Sequence, residues 1–321
     1  FILDICNFLS FKYKYKKMKL GILTAPFENK TLEEVADWAE KSSFHALEIA
    51  CWPLSNDKKR RYAGTAHIDV ANISEMQASE IVEFLSSKNI TISGLGYYPN
   101  PLHPDPEHRK DIFDHLKNIV DCAKKLKVPV VNTFCGGDAK LNIDENWKRA
   151  QEIWPEFIKY TTDQGVQLAF ENCPMIFSYD EWPGGHNIAY SPNIWRRIIE
   201  EWNGAVGMNF DPSHLILQMI NQKKFISEFG PHIKHVHAKD LTIDADGLYE
   251  NGILSKGMGW QVPKMPGLGD VDWSVFFSEL LKVGYEGSII IEHEDRNFEE
   301  TEALLKEGFI LARDNLIPYL K

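Results

Sequence analysis

The chain has 321 residues, 44% hydrophobic and 25% charged, enough to bury a full core as one large barrel or two smaller domains. Its formal net charge of -11 argues against a protein that grips nucleic acid by its phosphates; the basic clusters at 58–61 and 124–127 are short and read as solvated faces. The five cysteines (Cys6, Cys51, Cys122, Cys135, Cys173) show no CxxC spacing, which argues against a disulfide framework or zinc knuckle. No apolar run reaches the ~18 residues of a membrane-spanning helix, so no membrane partner and a cytoplasmic location are expected.

Residues 1–17 run apolar first and basic afterwards, opposite to a secretory signal. They read as an appendage outside the fold; the other reading is an extra strand or helix closing its bottom. From Met18 onward, short apolar runs alternate with helical periodicity. A strand at 19–23 precedes a helix at 32–41, which a capping box of Thr31 and Glu34 opens. Strand 46–51 (ALEIAC) leads through a polar loop to helix 74–88. Strand 91–97 (TISGLGY) is followed by helix 107–126, strand 129–134 (PVVNTF) by helix 147–164, and strand 167–171 (QLAFE) by helix 191–202. Strand 206–211 (VGMNFD) precedes helix 214–229, and strand 233–238 (IKHVHA) precedes a long loop at 241–271 and helix 273–283. Strand 288–292 (SIIIE) and helix 298–319 end the chain. Eight strands, each followed by a helix, predict an α/β fold of the (β/α)8 TIM-barrel class, in one catalytic domain over 18–321. The strands are apolar on both sides, as in a sheet buried on both faces. An open doubly wound sheet would carry a Gly-rich loop after its first strand, where this chain has Thr-Ala-Pro-Phe-Glu at 24–28.

Active sites of such barrels form at the carboxyl ends of the strands. Here four consecutive strands end in Glu171, Asp211, His237 and Glu292. Gathering three carboxylates without a cation is costly, because like charges repel and desolvation adds several kcal/mol per ion. One carboxylate at a strand end is ordinarily a salt-bridge partner or a helix cap; four ligand-type residues on adjacent strands point to one divalent ion. Oxygen ligands with an imidazole suit Mn²⁺ first, with Mg²⁺, Co²⁺, Fe²⁺ or Zn²⁺ as alternatives. Side-chain alternation puts His235 and His237 on one face, His237 nearer the rim as ligand and His235 deeper.

The segments Gly-Met-Asn-Phe-Asp-Pro-Ser-His (207–214), His-Val-His-Ala-Lys-Asp (235–240), Pro-Gly-Leu-Gly-Asp-Val-Asp-Trp (266–273) and Ile-Ile-Glu-His-Glu-Asp (290–295) resemble the xylose-isomerase-like sugar isomerase/epimerase superfamily. The resemblance covers residues 18–320 and implies a metal held by Glu171, Asp211, His237 and Glu292. It further implies that Glu171 and Glu292 flank a sugar and move protons through an enediolate. Return of the proton to the opposite face gives epimerisation, return to a new carbon gives isomerisation, and loss of a β-substituent gives elimination. His214 is expected either to hydrogen-bond a substrate oxygen or to stand behind the metal ligands as a helix-start histidine. Lys239 is expected either to neutralise a developing oxyanion or to pair with Asp240 or Glu294. Ketose 3-epimerases of this type carry an Arg a few residues beyond the strand-seven His; Leu241-Thr-Ile-Asp-Ala stands here instead, which counts against a simple free-ketohexose epimerase.

The loop 241–271 is far longer than the ~2–6 residues of a βα connection and reads as a lid carrying Tyr249, Met258, Trp260 and Met265. With Trp52, Tyr97, Tyr98, Phe134, Phe177 and Trp182 on other rim loops, the mouth reads as aromatic. That favours a keto-sugar or 3-keto-glycoside; Asn100 and His103 are further candidates to touch hydroxyls, and each of these residues can equally be packing or turn chemistry. A dehydratase or keto-glycoside β-eliminase of the same fold is the alternative, ahead of a non-catalytic barrel or a nuclease. A homo-oligomer is left open.

Overall fold

The apolar strand segments and amphipathic helices alternate in the computed structural model, which describes residues 18–54, 63–175, 186–253, 255 and 259–320. The first seventeen residues, the 58–61 cluster, Phe177, Trp182 and Met258 lie outside the described residues. The strands are β1 (Leu20–Leu23), β2 (Ala46–Ala50), β3 (Thr91–Gly96), β4 (Val130–Thr133), β5 (Gln167–Glu171), β6 (Val206–Phe210), β7 (Ile233–Ala238), a ribbon pair β8 (Asp240–Ile243) and β9 (Gln261–Lys264), and β10 (Ile289–Ile291). Eight of them close a parallel barrel in the order β1-β10-β7-β6-β5-β4-β3-β2, with β8 and β9 as a separate antiparallel ribbon. The expected (β/α)8 barrel is the fold.

The helices are α1 (Leu32–Lys41), α2 (Glu75–Ser87), α3 (Pro106–Leu126), α4 (Ile143–Asp163), α5 (Pro192–Trp202), α6 (Ser213–Ile216), α7 (Gln222–Phe229), α8 (Ala245–Asn251), α9 (Trp273–Lys282) and α10 (Glu302–Leu316). The capping box of Thr31 and Glu34 forms, and the same device at Ser74/Gln77 and Asn142/Glu145 opens α2 and α4. Asn142 starts α4 four residues earlier than its apolar periodicity suggests. The helix expected at 214–229 is broken: Met219 adopts φ +55°, and Asn221 accepts from Lys224 N to start α7 afresh. β1, β2 and β6 are buried at every residue, and Trp154, Trp195 and Phe276 fill the layer between barrel and helices.

Two register shifts bear on the site. The β2–β3 pairing slips between Leu47 and Glu48, leaving Ser93 out of the ladder, its hydroxyl donating to Leu47 O at 3.1 Å. The β6–β7 pairing slips between Met208 and Asn209. Each slip lies beside a buried polar side chain, Glu48 or Asn209, in an otherwise apolar strand, and bulges of this kind re-aim side chains near active sites. The 241–271 segment is not a plain loop: β8, α8 and β9 make it a small hairpin excursion. Asp240 accepts from Leu241 N, Gly267 N, Val271 N and Trp273 Nε1, and Asp295 accepts from Met265 N, so both ends of the excursion are tied to the barrel rim.

Candidate active site

Glu171 ends β5, Asp211 follows β6, His237 is the fifth residue of β7, and Glu292 follows β10. The imidazole of His237 sits between two carboxylates, Nδ1 2.8 Å from Glu171 Oε1 and Nε2 2.5 Å from Glu48 Oε2; Glu292 Oε2 is 3.4 Å from Nδ1. Glu171, His237 and Glu292 each offer a ligand atom within 4.8 Å of the others. Asp211 stands one step away. Its backbone N–H donates to Asn172 Oδ1 at 2.7 Å, and Asn172 Nδ2 donates back to Asp211 O. Its carboxylate accepts from Ser213 N and faces His214 Nε2 at 3.1 Å.

Lys239 joins these groups. Its ammonium lies 3.1 Å from Asp211 Oδ2, 2.8 Å from Glu292 Oε2 and 3.2 Å from Glu294 Oε2, with the side chain only 3% exposed. Of the two salt-bridge partners anticipated from sequence, Glu294 is engaged; Asp240 is committed to the N–H groups of Leu241, Gly267, Val271 and Trp273.

The environments push the two glutamates apart. Burial and the neighbouring charge of Glu292 raise the Glu171 carboxyl. Burial would raise Glu292 too, but Lys239 and His237 outweigh it and hold Glu292 low. Burial also opposes ionisation of Asp211, which Lys239 and His214 nevertheless keep far below the usual carboxylate range. Lys239 is buried, yet Asp211, Glu292 and Glu294 drive its proton affinity well up.

A cleft opens above this group, lined by Trp52, Tyr98, Phe134, Glu171, Lys239 and Glu292 among others. Trp52 therefore stands where sequence reasoning put it, and His214 lies fully buried against Asp211. Tyr97, Trp260 and His103 do not line the cleft. Tyr97 packs edge-on to Trp52 and His115, because successive residues at a strand end point to opposite sides and Tyr98 takes the inward one. Trp260 is buried with Leu217 and Leu241 beside the β8–β9 ribbon, and no described residue of 241–271, the segment expected to act as a lid, lines the cleft. His103 turns away to accept from Asp105 N and stacks edgewise on His108.

Glu48 was missed by sequence reasoning, and Tyr98 was noted only as one rim aromatic. Glu48 is fully buried, accepts from Tyr98 Oη and contacts His237, with His235 3.7 Å away. Burial pushes its carboxyl up, but His237, His235 and Tyr98 bring it down to about 2. Gly96 makes room for it, since a Cβ there would overlap the Glu48 carboxylate. The available signal was a lone acid in ALEIAC, a strand otherwise apolar on both sides. Two other groupings of potential ligands occur among the described residues, Glu48–His235–His237 and Glu171–Cys173–His214.

A closed parallel barrel with this carboxylate and histidine cluster at its C-terminal rim defines a class, and the family model described as "Xylose isomerase-like TIM barrel" matches residues 36–314. The chain belongs to that family. It is 25% identical over 87% of its length to the uncharacterized protein YfiH of Bacillus subtilis (strain 168), 93% of which is covered. It is 21% identical to an inosose dehydratase of Clostridium beijerinckii, covering 87% of this chain and 90% of the relative. Among solved structures, a D-psicose 3-epimerase from Clostridium cellulolyticum H10 with D-tagatose superposes with a TM-score of 0.67 at 20% identity, over 95% of this chain and all of that one. The IolI protein with a bound zinc atom gives 0.69 at 18% identity, over 94% of this chain and 98% of that one. The relatives thus include epimerases and dehydratases. No helix among the described residues is long and apolar enough to cross a membrane.

Proposed function

We propose that the protein is a divalent-metal-dependent isomerase or epimerase acting on a keto-sugar or 3-keto-glycoside. The observation that carries this reading is the meeting of Glu171, His237 and Glu292 below the cleft, with Asp211 tied to the same group through Lys239. The donor set fits a divalent cation: three carboxylates, two of them buried and Glu292 partly so, and one imidazole from adjacent strands hold more negative charge than His237 and Lys239 offset. Glu171, Asp211, His237 and Glu292 would hold the ion. When bound, it would supply Lewis acidity that makes negative charge on a carbonyl oxygen less costly. A zinc-bearing neighbour of the same fold is in keeping with this; the choice of manganese rests on ligand chemistry alone.

The chain's own groups supply the proton transfers. Of Glu171 and Glu292, one takes the proton from the carbon next to the carbonyl and the other returns a proton. Lys239 balances charge as it develops on the substrate. Trp52, Tyr98 and Phe134 form the apolar wall on which the C–H faces of a sugar pack, and they exclude water. A small-molecule substrate is in keeping with a cleft of apolar walls and a few convergent charged groups.

The second reading is a lyase. The inosose dehydratase of C. beijerinckii, matched over nearly the whole chain, favours it, since deprotonation is shared and only the leaving group differs. The test is elemental analysis of purified protein, then a screen of keto-sugars and 3-keto-glycosides in heavy water with the identified metal restored. Deuterium entering a substrate carbon without loss of water or aglycone supports the first reading. Release of either supports the lyase. Absence of any exchange or turnover across the panel sinks both.

A further inference from the structure

Glu48 stands on the far side of His237 from the proposed ion. Nδ1 of His237 faces Glu171 and Glu292, the ligand side, at 2.8 and 3.4 Å, while Nε2 is 2.5 Å from Glu48 Oε2. An imidazole that binds a metal through one nitrogen usually gives the other N–H to a carboxylate, which fixes ring orientation and tautomer and makes the ligating nitrogen a better donor. The fold invests in this contact. The β2–β3 slip falls at Glu48, Gly96 clears its space, and Tyr98 Oη donates to its second oxygen, Oε1. Asn209 Nδ2 lies 3.1 Å from Tyr98 Oη and close to the His237 ring. His235, the other imidazole nearby, is engaged elsewhere: Nδ1 is 2.9 Å from Asn209 Oδ1 and Nε2 3.1 Å from Ser93 Oγ. That leaves Glu48 to act on His237 rather than to share an ion with His235.

We infer that Glu48 is a positioning residue for the metal centre, which holds His237 with Nδ1 toward the ion. This rests on the metal-site reading above. The experiment measures Mn²⁺ and Zn²⁺ dissociation constants by competition with a chelating dye, with circular dichroism and thermal unfolding of each metal-free variant. Wild type is expected to bind one equivalent, and His237→Ala to lose most of its affinity. Glu48→Gln keeps the shape and a hydrogen-bond acceptor, so it should fold, yet weaken binding about 10- to 100-fold. Glu48→Asp keeps the charge but withdraws the carboxylate from Nε2, and should weaken binding to a similar degree. If His237→Ala loses the metal while Glu48→Gln binds like wild type, the role of Glu48 is wrong and the site stands. If Glu48→Asp binds like wild type, Glu48 acts through its field and not by holding the ring, and the inference is overturned. If His235→Gln weakens binding as much as Glu48→Gln, the ion belongs to the deeper Glu48–His235–His237 group. A wild type that binds no metal, or a His237→Ala that binds as well, overturns the site and this inference together.

Discussion

At the scale of single residues, Lys239 is a cation built into a nest of acids. Removing one member of a buried ion pair leaves an uncompensated charge, at a cost of about 3–5 kcal/mol. Lys239→Met leaves Asp211, Glu292 and Glu294 facing one another. The metal-free variant is therefore expected to unfold at lower urea than wild type, by about that free energy, with the gap narrowing when Mn²⁺ is added. A gap unchanged by metal would separate Lys239 from the proposed ion. For the proton carriers, Glu171→Gln and Glu292→Gln should each lower kcat by about 10²–10⁴-fold. Steady-state rates on the substrate found by the screen check this, and unchanged rates would point to a binding barrel. Sequence reasoning found Glu171, Asp211, His237 and Glu292 because polar residues at successive strand ends stand out. It passed over Glu48, because one acid inside an apolar strand gives no hint of a partner 189 positions away. It also chose Tyr97 and not Tyr98 as a substrate contact, because composition does not say which of two adjacent rings turns inward.

At the scale of elements, Asp240 decides how the β8–β9 ribbon sits. Its carboxylate holds three backbone N–H groups and the Trp273 indole, and burial raises it while those donors lower it. Leaving buried donors unsatisfied costs about 1–3 kcal/mol. Asp240→Ala is therefore expected to raise the open population of the ribbon about 5- to 150-fold, read as faster limited proteolysis between residues 245 and 260. Wild-type cleavage rates would show that the ribbon is held by other contacts. The eight barrel strands and most helices could be placed from period and caps. The ribbon could not: its pairing of Asp240–Ile243 with Gln261–Lys264 joins short segments across a polar stretch with too few residues to show alternation. The α6–α7 break was hidden for a related reason, as the apolar period continues across Met219 while the backbone does not.

At the scale of the whole molecule, buried histidines set the acid limit of the metal-free protein. Burial lowers His235 to about 4 from an ordinary 6.5, so the unfolded chain binds that proton first. The stability it contributes is complete above pH 6.5 and is lost as pH falls toward 4, by about 3 kcal/mol. His115 is lowered by burial as well, against its bond to Cys51 O, and acts with the same sign. Glu48, brought down to about 2, extends the loss from about 4.5 downward. His237 is raised and works the other way, its contribution present below pH 6.5 and fading only on the alkaline side. Urea unfolding of chelator-treated protein from pH 7 to 4 should therefore lose stability steadily, and His235→Gln should flatten the slope. A flat wild-type profile would contradict the assignment of a buried neutral His235.

The hairpin excursion leaves the barrel at Asp240 and is fastened again at Met265, Gly267 and Val271, all to carboxylates seated on the rim. The antiparallel ribbon between them, Asp240–Ile243 paired with Gln261–Lys264, is thus held at both feet. Such a layout makes the excursion a natural port for grafting: a tag or a reporter carried beyond the paired strands would leave their anchored feet, and the machinery inside, as they are.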